Sequence, residues 1–262
     1  MPEGHTIHRA ANDLRRALAN QVLIVSSPQG RFAGGASVLD GRECLSVDAY
    51  GKHLLLGFED SLWLHIHLGL FGRIRRRKVP AMEPRGAVRV RLESETHVVD
   101  VSGPTICTNI DSAELAALID RIGPDVLRED ADPLRAISRI SRSRAPIGRL
   151  LMDQSVIAGI GNIYRTELLW RAGIHPDIPG KSIEEAEIWR LWHDASRLLK
   201  LGVKRNAIIT AEHAMQSRSR YRERTNIFGK SNCPSCRNTI RRLEIAGRRA
   251  FVCDTCQPMI QS

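Results

Sequence analysis

The stretch CPSCRNTIRRLEIAGRRAFVCDTC, residues 233–256, decides how the end of this chain can fold. Two Cys-x-x-Cys pairs, Cys233/Cys236 and Cys253/Cys256, stand at the two ends of a spacer of hairpin length. A segment this short cannot bury a core of its own, so it needs a cross-link or a metal. The spacing suits four thiolates around one tetrahedral zinc ion, which leaves no open coordination position. The sequence therefore predicts one structural zinc ion in a C-terminal finger.

The spacer between the two cysteine pairs is basic. Its arginines alternate with apolar residues at Arg237, Arg241, Arg242, Arg248 and Arg249. A basic hairpin on a zinc ribbon can contact the phosphates of a nucleic acid. A solvated surface hairpin and a protein-binding ribbon are the alternatives for this segment.

The whole chain also carries an excess of positive charge. Its 262 residues include 39 Lys and Arg against 29 Asp and Glu, which gives a formal net charge of +10. This charge favours a polyanionic partner, with nucleic acid first, although an ordinary basic enzyme can have the same composition. The length suffices for two domains and a small appendage.

We expect neither an export signal nor a membrane partner. Residues 1–12 carry charges and no apolar core, and no apolar run approaches the length of a spanning helix. The expected protein is soluble and cytoplasmic, and nucleoid-associated if DNA is its partner. The paired cysteines agree with a reducing compartment, where they indicate metal more often than disulfides.

The apolar periodicity changes along the chain. Residues 6–18 have helical spacing, whereas short apolar runs between 22 and 107 alternate with Gly, Pro and charged turns, as in an antiparallel sandwich or barrel. Another helix is predicted over 112–122, with Asp111 or Ser112 as its cap. The predicted strands are 22–25, 53–58, 62–67, 88–92 and 97–101.

Beyond Gly123-Pro124-Asp125 the pattern becomes helical. The predicted helices cover 133–140, 146–154, 161–171, 183–201 and 205–215, and a basic linker or loop follows over 216–225. The fold class is α+β and multidomain. An N-terminal antiparallel β-sandwich or barrel with flanking helices occupies 1–123, a helical domain 124–225, and the four-cysteine finger hairpin 226–262.

The segment Met1-Pro2-Glu3-Gly4 gives the N-terminus a distinctive chemistry. If Met1 is removed, Pro2 presents a secondary amine, part of which is neutral in a cell because an α-amino group has a pKa of about 8. A neutral amine can attack a sugar C1′ and form an iminium, and Glu3 lies beside it to move protons. Proline after an initiator Met is also common without function, and Glu3 can equally be a helix cap or a solvent-exposed acid.

The segment Ala158-Gly159-Ile160-Gly161-Asn162 joins two helical stretches. Glycines let a backbone approach a ligand closely, and the N–H groups at the start of the next helix can bind phosphate. A tight helix–helix turn without a ligand explains the same residues.

In combination these segments resemble the formamidopyrimidine-DNA glycosylase and endonuclease VIII family. The match runs along essentially the whole chain, in the order Pro2-Glu3-Gly4, Gly51-Lys52-His53, Asp153-Gln154 with 159–164 and Glu167, then the finger with Arg248 five residues before Cys253. The resemblance implies a helix–two-turn–helix motif in the helical domain, beside the β-sandwich and the zinc finger.

The resemblance also implies roles for individual residues. Pro2 is the implied nucleophile, and Glu3 assists base release and later proton transfers. Lys52, Asn162 and Arg248 are the implied phosphate ligands.

Leu70 and Phe71, in the turn from His67 to Gly72, match the loop that fills the space of an extruded base. Ordinary packing between strands is the alternative for both side chains.

The implied activity is that of a bifunctional glycosylase and AP lyase in base excision repair. It cleaves the N-glycosidic bond and then nicks the strand by β,δ-elimination, which leaves a one-nucleotide gap. The implied protein is a bacterial monomer whose partner is damaged DNA, with duplex, bubble and single-stranded forms all open.

Three departures from the family pattern bear on the substrate. His5 and Thr6 follow Gly4, so a second N-terminal carboxylate is missing, and 100–105 lacks the arginine of the oxidised-guanine branch. Gly148-Arg149 replaces a lysine that often precedes the two-turn motif. These differences favour the endonuclease VIII branch and oxidised pyrimidines, and the opening Pro-Glu-Gly-His-Thr resembles an actinobacterial subgroup.

Two non-catalytic functions compete with this interpretation. A zinc-ribbon regulatory protein explains the charge, the finger and the glycine turn but leaves Pro2-Glu3 unexplained. A protein that binds damaged DNA without cutting it is compatible with Thr6 in place of the acid.

Overall fold

The structure is a computed structural model that describes residues 2–216, 220 and 223–259. The contacts within the chain divide it into two compact units, Met1–Arg121 and Ile122–Ser262. We propose the finer division into domains 1–123, 124–225 and 226–262, in which the second unit comprises the helical domain and the finger.

The first unit is an antiparallel β-sandwich flanked by helices, as predicted. One sheet has the order β1-β3-β4-β5-β9, and the other has the order β2-β7-β8-β6. The strands are β1 Gln21–Val22, β2 Ile24–Ser26, β3 Glu43–Tyr50, β4 His53–Phe58, β5 Trp63–His67, β6 Arg73–Lys78, β7 Val88–Glu93, β8 His97–Ser102 and β9 Ile106–Ile110. The helices are α1 Gly4–Leu18, α2 Ala33–Leu39 and α3 Ser112–Arg121.

The core of this unit lies between the two sheets. Alternate apolar residues point inward, such as Leu54 and Leu56 from β4 and Val90 and Leu92 from β7, and all four are fully buried. Helix α1 adds its apolar stripe to the same core and packs against β3 and β4. The first residues of the chain are thereby held against the strands that flank Lys52.

The prediction of a single strand over 22–25 is wrong. Val22 ends β1 in one sheet and Ile24 begins β2 in the other, while the side chain of Leu23 between them is fully buried. The N–H of Leu23 donates to Arg42 O and its carbonyl accepts from Gly41, so the chain changes sheets there without losing backbone hydrogen bonds.

Helix α3 confirms one of the two predicted caps. The Asp111 carboxylate accepts the Glu114 N–H at 2.8 Å, and the Glu114 carboxylate accepts the Asp111 N–H at 3.0 Å. This reciprocal pair satisfies the first turn of the helix, so Asp111 is the cap.

Strand β6 lies at the edge of the four-stranded sheet among the described strands. Five of its six residues are basic, and its sequence is RIRRRK. Ile74 packs against the core, while Arg77 pairs with the buried carboxylate of Asp100 on the neighbouring strand. The remaining cations face solvent.

The second unit is a helical domain followed by a two-stranded hairpin. Its apolar core is built from the helices, with Tyr164, Leu168 and Leu198 among the fully buried side chains. The elements are α4 Pro133–Ser141, α5 Ile147–Leu150, α6 Asn162–Ala172, α7 Glu185–Arg205, α8 Glu212–Met215, β10 Arg241–Ile245 and β11 Arg248–Val252.

Two helices predicted in this unit differ from the structure. The helix expected over 146–154 is a single turn, Ile147–Leu150, because the chain then enters the turns that lead to Gly161. The helix expected over 205–215 is present only as the single turn α8 Glu212–Met215, since Asn206 takes a left-handed φ of 50° and ends α7. The loop predicted over 216–225 lies partly outside the described residues.

No helix within the described ranges is both long and apolar enough to cross a lipid bilayer.

Candidate active site and nucleic-acid interface

The N-terminal segment places Glu3 at the start of helix α1. Pro2 is half-buried just before it, and the Glu3 side chain is fully buried at the N-cap. Thr6 Oγ accepts the Glu3 N–H at 3.4 Å, and the Glu3 side chain faces the Thr6 N–H in a reciprocal capping box. The alternative of a solvent-exposed acid is therefore wrong, and Thr6 serves as the capping partner of Glu3.

The predicted phosphate ligand Lys52 lies in the tight turn between β3 and β4. Tyr50 pairs with His53, so Gly51 and Lys52 form a two-residue connection, and Gly51 has a positive φ of 57°. The Lys52 side chain is half-buried. Its ammonium contributes to lowering the pKa of His53 and of His67, after the larger effect of burial.

Three histidines lie together beside this turn. His53 on β4 pairs in register with His67 on β5, and His65 is two residues before His67 on the same face of β5. His53 Nδ1 is 2.8 Å from His65 Nε2, and the His53 ring centroid is 5.0 Å from each of the other two.

The predicted wedge residues occupy the turn that follows β5. Phe71 has 85% of its surface exposed and Leu70 has 38%, whereas Leu68 at the start of the turn is buried in the core. The structure therefore excludes ordinary packing between strands as the explanation for Phe71. Gly72 N–H closes the turn on Leu68 O at 2.9 Å.

In the second unit, Asn162 is the first residue of α6, directly after the Gly161 N-cap. Its Nδ2 donates to Arg249 O at 3.0 Å, and its Oδ1 accepts Nη2 of Arg165 at 2.5 Å. The two-turn motif and the finger hairpin are thus joined by side-chain hydrogen bonds.

Arg165 is the centre of this junction. Its side chain is fully buried, and its guanidinium donates to three main-chain carbonyls besides Asn162, namely Gly148 O at 3.4 Å, Ile245 O at 3.2 Å and Arg249 O at 3.2 Å. A buried cation is tolerated only when acceptors surround it in this way. Arg165 therefore fixes Asn162 and the hairpin relative to each other.

Arg248 begins the second strand of the finger hairpin and is half-buried. It pairs with Ile245 across the turn Ala246-Gly247, where both residues have positive φ angles of 52° and 67°. Such a turn has the twist of the flanking strands and sets their register tightly. The hydrogen-bonded carbonyls of Ile245 and Arg249 stand on either side of this arginine.

Glu167, on the same helix as Asn162, anchors the segment that leads into the finger. The fully buried carboxylate accepts hydrogen bonds from Thr210 Oγ1, from the main-chain amides of Asn226, Ile227 and Phe228, and from Asn226 Nδ2, at 2.6–2.9 Å. These donors replace the water that the charge loses on burial. The role of this residue is structural.

The four cysteines of the finger meet at one point. Their sulfur atoms all lie within 4.8 Å of one another, with Cys236 Sγ 3.4 Å from Cys253 Sγ and Cys233 Sγ 3.7 Å from Cys256 Sγ. Zinc–sulfur bonds of about 2.3 Å in a tetrahedron place the sulfurs about 3.8 Å apart. The donor set fits one structural zinc ion, as the sequence predicts.

The main chain of the first knuckle also favours a thiolate. Burial opposes ionisation of Cys233, but hydrogen bonds from the main chain of Cys236 and Ser235, together with the side chains of Trp170 and Cys253, outweigh it and lower the pKa of the thiol to about 6. A zinc ligand must be deprotonated, so the surroundings of Cys233 suit metal binding. Burial and the neighbouring thiols raise the pKa of Cys253 and raise that of Cys256 to about 12, so these two thiols need a bound cation to ionise.

Sequence reasoning missed two parts of this arrangement. Arg165 lies three residues after Asn162, and this spacing places both on one face of a helix, which was the available signal. The sequence also carried a signal for the three histidines, because His65 and His67 are two residues apart in a strand and so lie on the same face.

Comparison with known proteins covers both units. Residues 1–105 match the formamidopyrimidine-DNA glycosylase N-terminal domain, 122–213 match the formamidopyrimidine-DNA glycosylase H2TH domain, and 231–258 match the zinc finger found in FPG and IleRS. Two crystal structures of Lactococcus lactis Fpg, bound to N7-benzyl-Fapy-dG DNA and to abasic-site DNA, share the fold. Each has a TM-score of 0.82 and 23% identity, over 98% of this chain and 100% of that chain.

Curated relatives match over nearly their whole length. The formamidopyrimidine-DNA glycosylase of Chloroflexus aggregans is 30% identical over 100% of both chains. Endonuclease 8 1 of Mycobacterium tuberculosis is 44% identical over 98% of this chain and 100% of that protein. With this identity, the three matching domains and the shared fold, the chain belongs to the formamidopyrimidine-DNA glycosylase and endonuclease VIII family of DNA glycosylases with AP lyase activity.

Proposed function

We propose that this protein excises oxidised bases from damaged DNA, with pyrimidines favoured, through a Schiff base at Pro2. It then nicks the abasic strand by β,δ-elimination. The preference for pyrimidines rests on the 44% identical relative, which is named an endonuclease 8, and on the absence of arginine from 100–105. Met1, whose removal the proposal requires, lies outside the described residues.

The observation that carries the proposal is the fixed carboxylate next to Pro2. Glu3 is fully buried and held in a capping box with Thr6, so its position relative to the preceding residue is set by the first turn of α1. A general acid or base works best when its position is fixed before the substrate arrives. Thr6, a neutral residue, leaves Glu3 without a second carboxylate within the capping box.

The proposed chemistry begins at the amine of Pro2. Its nitrogen forms a bond to C1′ as the N-glycosidic bond breaks, the departing base takes a proton and the nitrogen loses its own. The C1′–O4′ bond then breaks as O4′ takes a proton, which opens the sugar ring and leaves an iminium between Pro2 and C1′. The resulting iminium draws electrons from the sugar, so C2′ loses a proton and the bond from C3′ to its phosphate oxygen breaks. A second elimination removes the 5′ phosphate, and hydrolysis of the remaining iminium frees Pro2. We propose Glu3 as the group that moves protons between the Pro2 nitrogen, the departing base and O4′.

We propose that cationic side chains and one side-chain amide, from both units, bind the phosphates of the DNA. Lys52 would bind a phosphate near the lesion, and Arg248 another from the hairpin. Asn162 would bind phosphate with the second proton of Nδ2, since the first is donated to Arg249 O. A formal charge of +10 supports a polyanionic partner of this kind.

The exposed turn residues would keep the target base out of the helix. A base must leave the stack before its glycosidic bond can be reached, at a cost of a few kcal/mol. Phe71 is exposed over most of its surface and Leu70 over more than a third, so both can occupy the space that the base vacates. Because the proposed substrate is DNA, we also propose that the protein is located at the nucleoid, in the cytoplasm.

Borohydride trapping tests the central step. Reduction during reaction with abasic-site DNA should yield a covalent adduct, and mass spectrometry should map the crosslink to Pro2. An uncleaved extension ahead of Pro2 should abolish trapping and strand cleavage while DNA binding largely survives. A crosslink on Lys52 or another lysine, with Pro2 unmodified, would overturn the mechanism. A protein that binds damaged DNA without cutting it forms no adduct at all.

A further inference from the structure

The proposed mechanism leaves the three histidines beside Lys52 without a role. His67 differs from the other two because it is the last residue of β5 and directly precedes the turn that carries Leu70 and Phe71. The histidine cluster therefore reaches the first residue before that turn.

The His67 ring binds the turn through Nδ1. The N–H of Gly69 donates to this nitrogen at 3.2 Å. Thr105 Oγ1 lies 2.9 Å from the same nitrogen and 3.0 Å from His67 O, to which its hydroxyl can donate. The main chain contributes too, because Thr105 N–H donates to His67 O at 2.8 Å. The His67 ring therefore holds Gly69 of the turn, while the main chain of His67 is held by Thr105, the residue just before β9.

Gly69 cannot be replaced without moving this contact. Its φ is +63°, and a Cβ at this position would lie 2.3 Å from Thr105 Cγ2. The glycine allows the main-chain amide to approach the ring closely while the chain reverses. The apolar side chains at the tip of the turn are therefore exposed, while the start of the turn is held in place.

A main-chain N–H can donate only to a ring nitrogen that carries no proton. The contact with Gly69 therefore requires the neutral tautomer of His67 with its proton on Nε2. In that tautomer the single proton of the Thr105 hydroxyl can go to Nδ1 or to His67 O, so the Gly69 N–H is the donor that fixes the role of Nδ1. A proton on Nδ1 would set two N–H groups against each other and release Gly69.

The surroundings favour the neutral ring. Burial and the Lys52 ammonium lower the pKa of His67 below its usual range. Burial is also the main cause that lowers the pKa of His53 to about 3 and that of His65 to about 4, and Arg121 adds to the shift of both. The charged groups that face the cluster, Lys52 and Arg121, are both cations, so each disfavours a charged imidazole.

We propose that His67 is a positioning residue for base extrusion, whose unprotonated Nδ1 holds the Gly69 amide and so fixes the turn that presents Leu70 and Phe71. This inference rests on the proposed function of the turn as a wedge. A held turn enters the DNA without first being ordered, whereas a loose one loses conformational entropy on insertion. The contact should therefore affect extrusion of a base much more than chemistry at a sugar that has none.

A matched pair of variants tests the nitrogen directly. The amide of His67→Asn reaches about as far as Nδ1 and can accept the Gly69 N–H, whereas that of His67→Gln reaches toward the position of Nε2. Excision of an oxidised pyrimidine should stay within about twofold of wild type for His67→Asn and fall about tenfold for His67→Gln, which matches the loss of one hydrogen bond. Cleavage of a preformed abasic site should be nearly equal in all three proteins. Equal excision by the two variants would overturn the proposal.

The pH profile gives a readout that a purely structural role would not move. Because the pKa of His67 is lowered, the Gly69 contact is present at neutral pH and is lost as the pH falls through that pKa. The ratio of base excision to abasic-site cleavage should decline in acid for wild type and stay flat for His67→Asn. A parallel decline in both proteins would contradict the assignment.

Nuclear magnetic resonance of the wild-type protein separates this inference from the proposed function. Imidazole ¹⁵N spectra should show His67 protonated on Nε2 at neutral pH, and the Gly69 amide should exchange slowly with solvent. Both results can hold even if borohydride trapping at Pro2 fails, in which case the proposed catalysis is lost while the hydrogen bond from Gly69 to His67 stands. A proton on Nδ1 would sink the positioning role whatever the activity.

Discussion

The side-chain amide of Asn162 donates a 3.0 Å hydrogen bond to the main-chain carbonyl of Arg249, a residue 87 positions further along the chain. The bond joins the first residue of helix α6 to the finger hairpin, next to Arg248. Asn162 and Arg248, two proposed phosphate ligands, are therefore held close together, and a substitution of either should lower the affinity for DNA.

Arg248→Ala and Asn162→Ala should weaken binding to damaged and undamaged duplex by similar factors, since phosphate contacts carry no direct sequence information. Only Arg248→Ala removes a charge, so it alone should reduce the salt dependence of the affinity, by about one unit of log–log slope. Fluorescence anisotropy over a salt series measures both. Arg190→Ala, on the exposed side of α7, is the charge-matched control and should leave affinity and slope unchanged. A changed choice of lesion with unchanged affinity for plain duplex would contradict the assigned roles.

Arg165→Met should destabilise the second unit by about 3 kcal/mol, because buried carbonyls lose their donor. The carbonyls of Gly148 and Ile245 lose the guanidinium, Arg249 O keeps only the bond from Asn162 Nδ2, and Asn162 Oδ1 loses its donor. Denaturant unfolding gives the loss of stability, and affinity for plain duplex should fall with it. Arg165→Lys keeps the charge but not the planar fork, so it should recover only part of both. Full recovery by lysine would show that charge alone matters at this position.

Cys253→Ser should remove the single zinc ion and unfold the finger locally, because metal binding and finger folding are one process. DNA affinity should drop, while the sandwich formed by the first unit stays folded. Elemental analysis and thermal unfolding measure the two effects. Cys107→Ser, a half-buried cysteine outside the finger, should keep one equivalent of zinc. Freshly purified wild-type protein without zinc would disprove the site.

Phe71→Ala should slow base excision by about tenfold or more, consistent with a few kcal/mol for holding a base out of the stack. Cleavage at a preformed abasic site should change much less, since no base has to be extruded there. Stability should hardly change, because 85% of the Phe71 surface is exposed. Met82→Ala removes another exposed apolar side chain, 64% exposed, and should leave both activities intact. Equal losses on both substrates would instead indicate misfolding.

Glu3→Gln should impair base excision much more than cleavage of a preformed abasic site, because the amine of Pro2 remains. Thr6→Ala is the informative comparison, since it disturbs the same capping box but keeps the carboxylate. It should cost about 1 kcal/mol of stability and little excision. Single-turnover rates on the two substrates distinguish the variants. If Thr6→Ala matched Glu3→Gln, the acid would be a helix cap and nothing more.

Short-range patterns predicted much of this protein. The two Cys-x-x-Cys pairs predicted the zinc site, since all four donors stand at spacings that a metal knuckle requires. Short apolar runs separated by Gly, Pro and charged turns predicted an antiparallel sandwich or barrel, and the structure shows the sandwich.

The parts that were missed depend on contacts distant in sequence. Arg165 reaches Ile245 across 80 residues and Gly148 across 17, so no local pattern reports its acceptors. The helix expected over 205–215 failed for a local reason, since a left-handed Asn206 stopped α7 within a stretch of helical apolar spacing.

The arginine-rich edge strand has a consequence for how copies of this protein meet. An open sheet edge is a template on which another strand can pair. A second copy that aligned its own β6 against Arg73–Lys78 would bring like charges directly opposite one another, which destabilises cross-strand pairing. The edge of this sheet therefore disfavours pairing with the same strand of a second copy. Many copies can bind close together on a polyanion without aggregating through this edge.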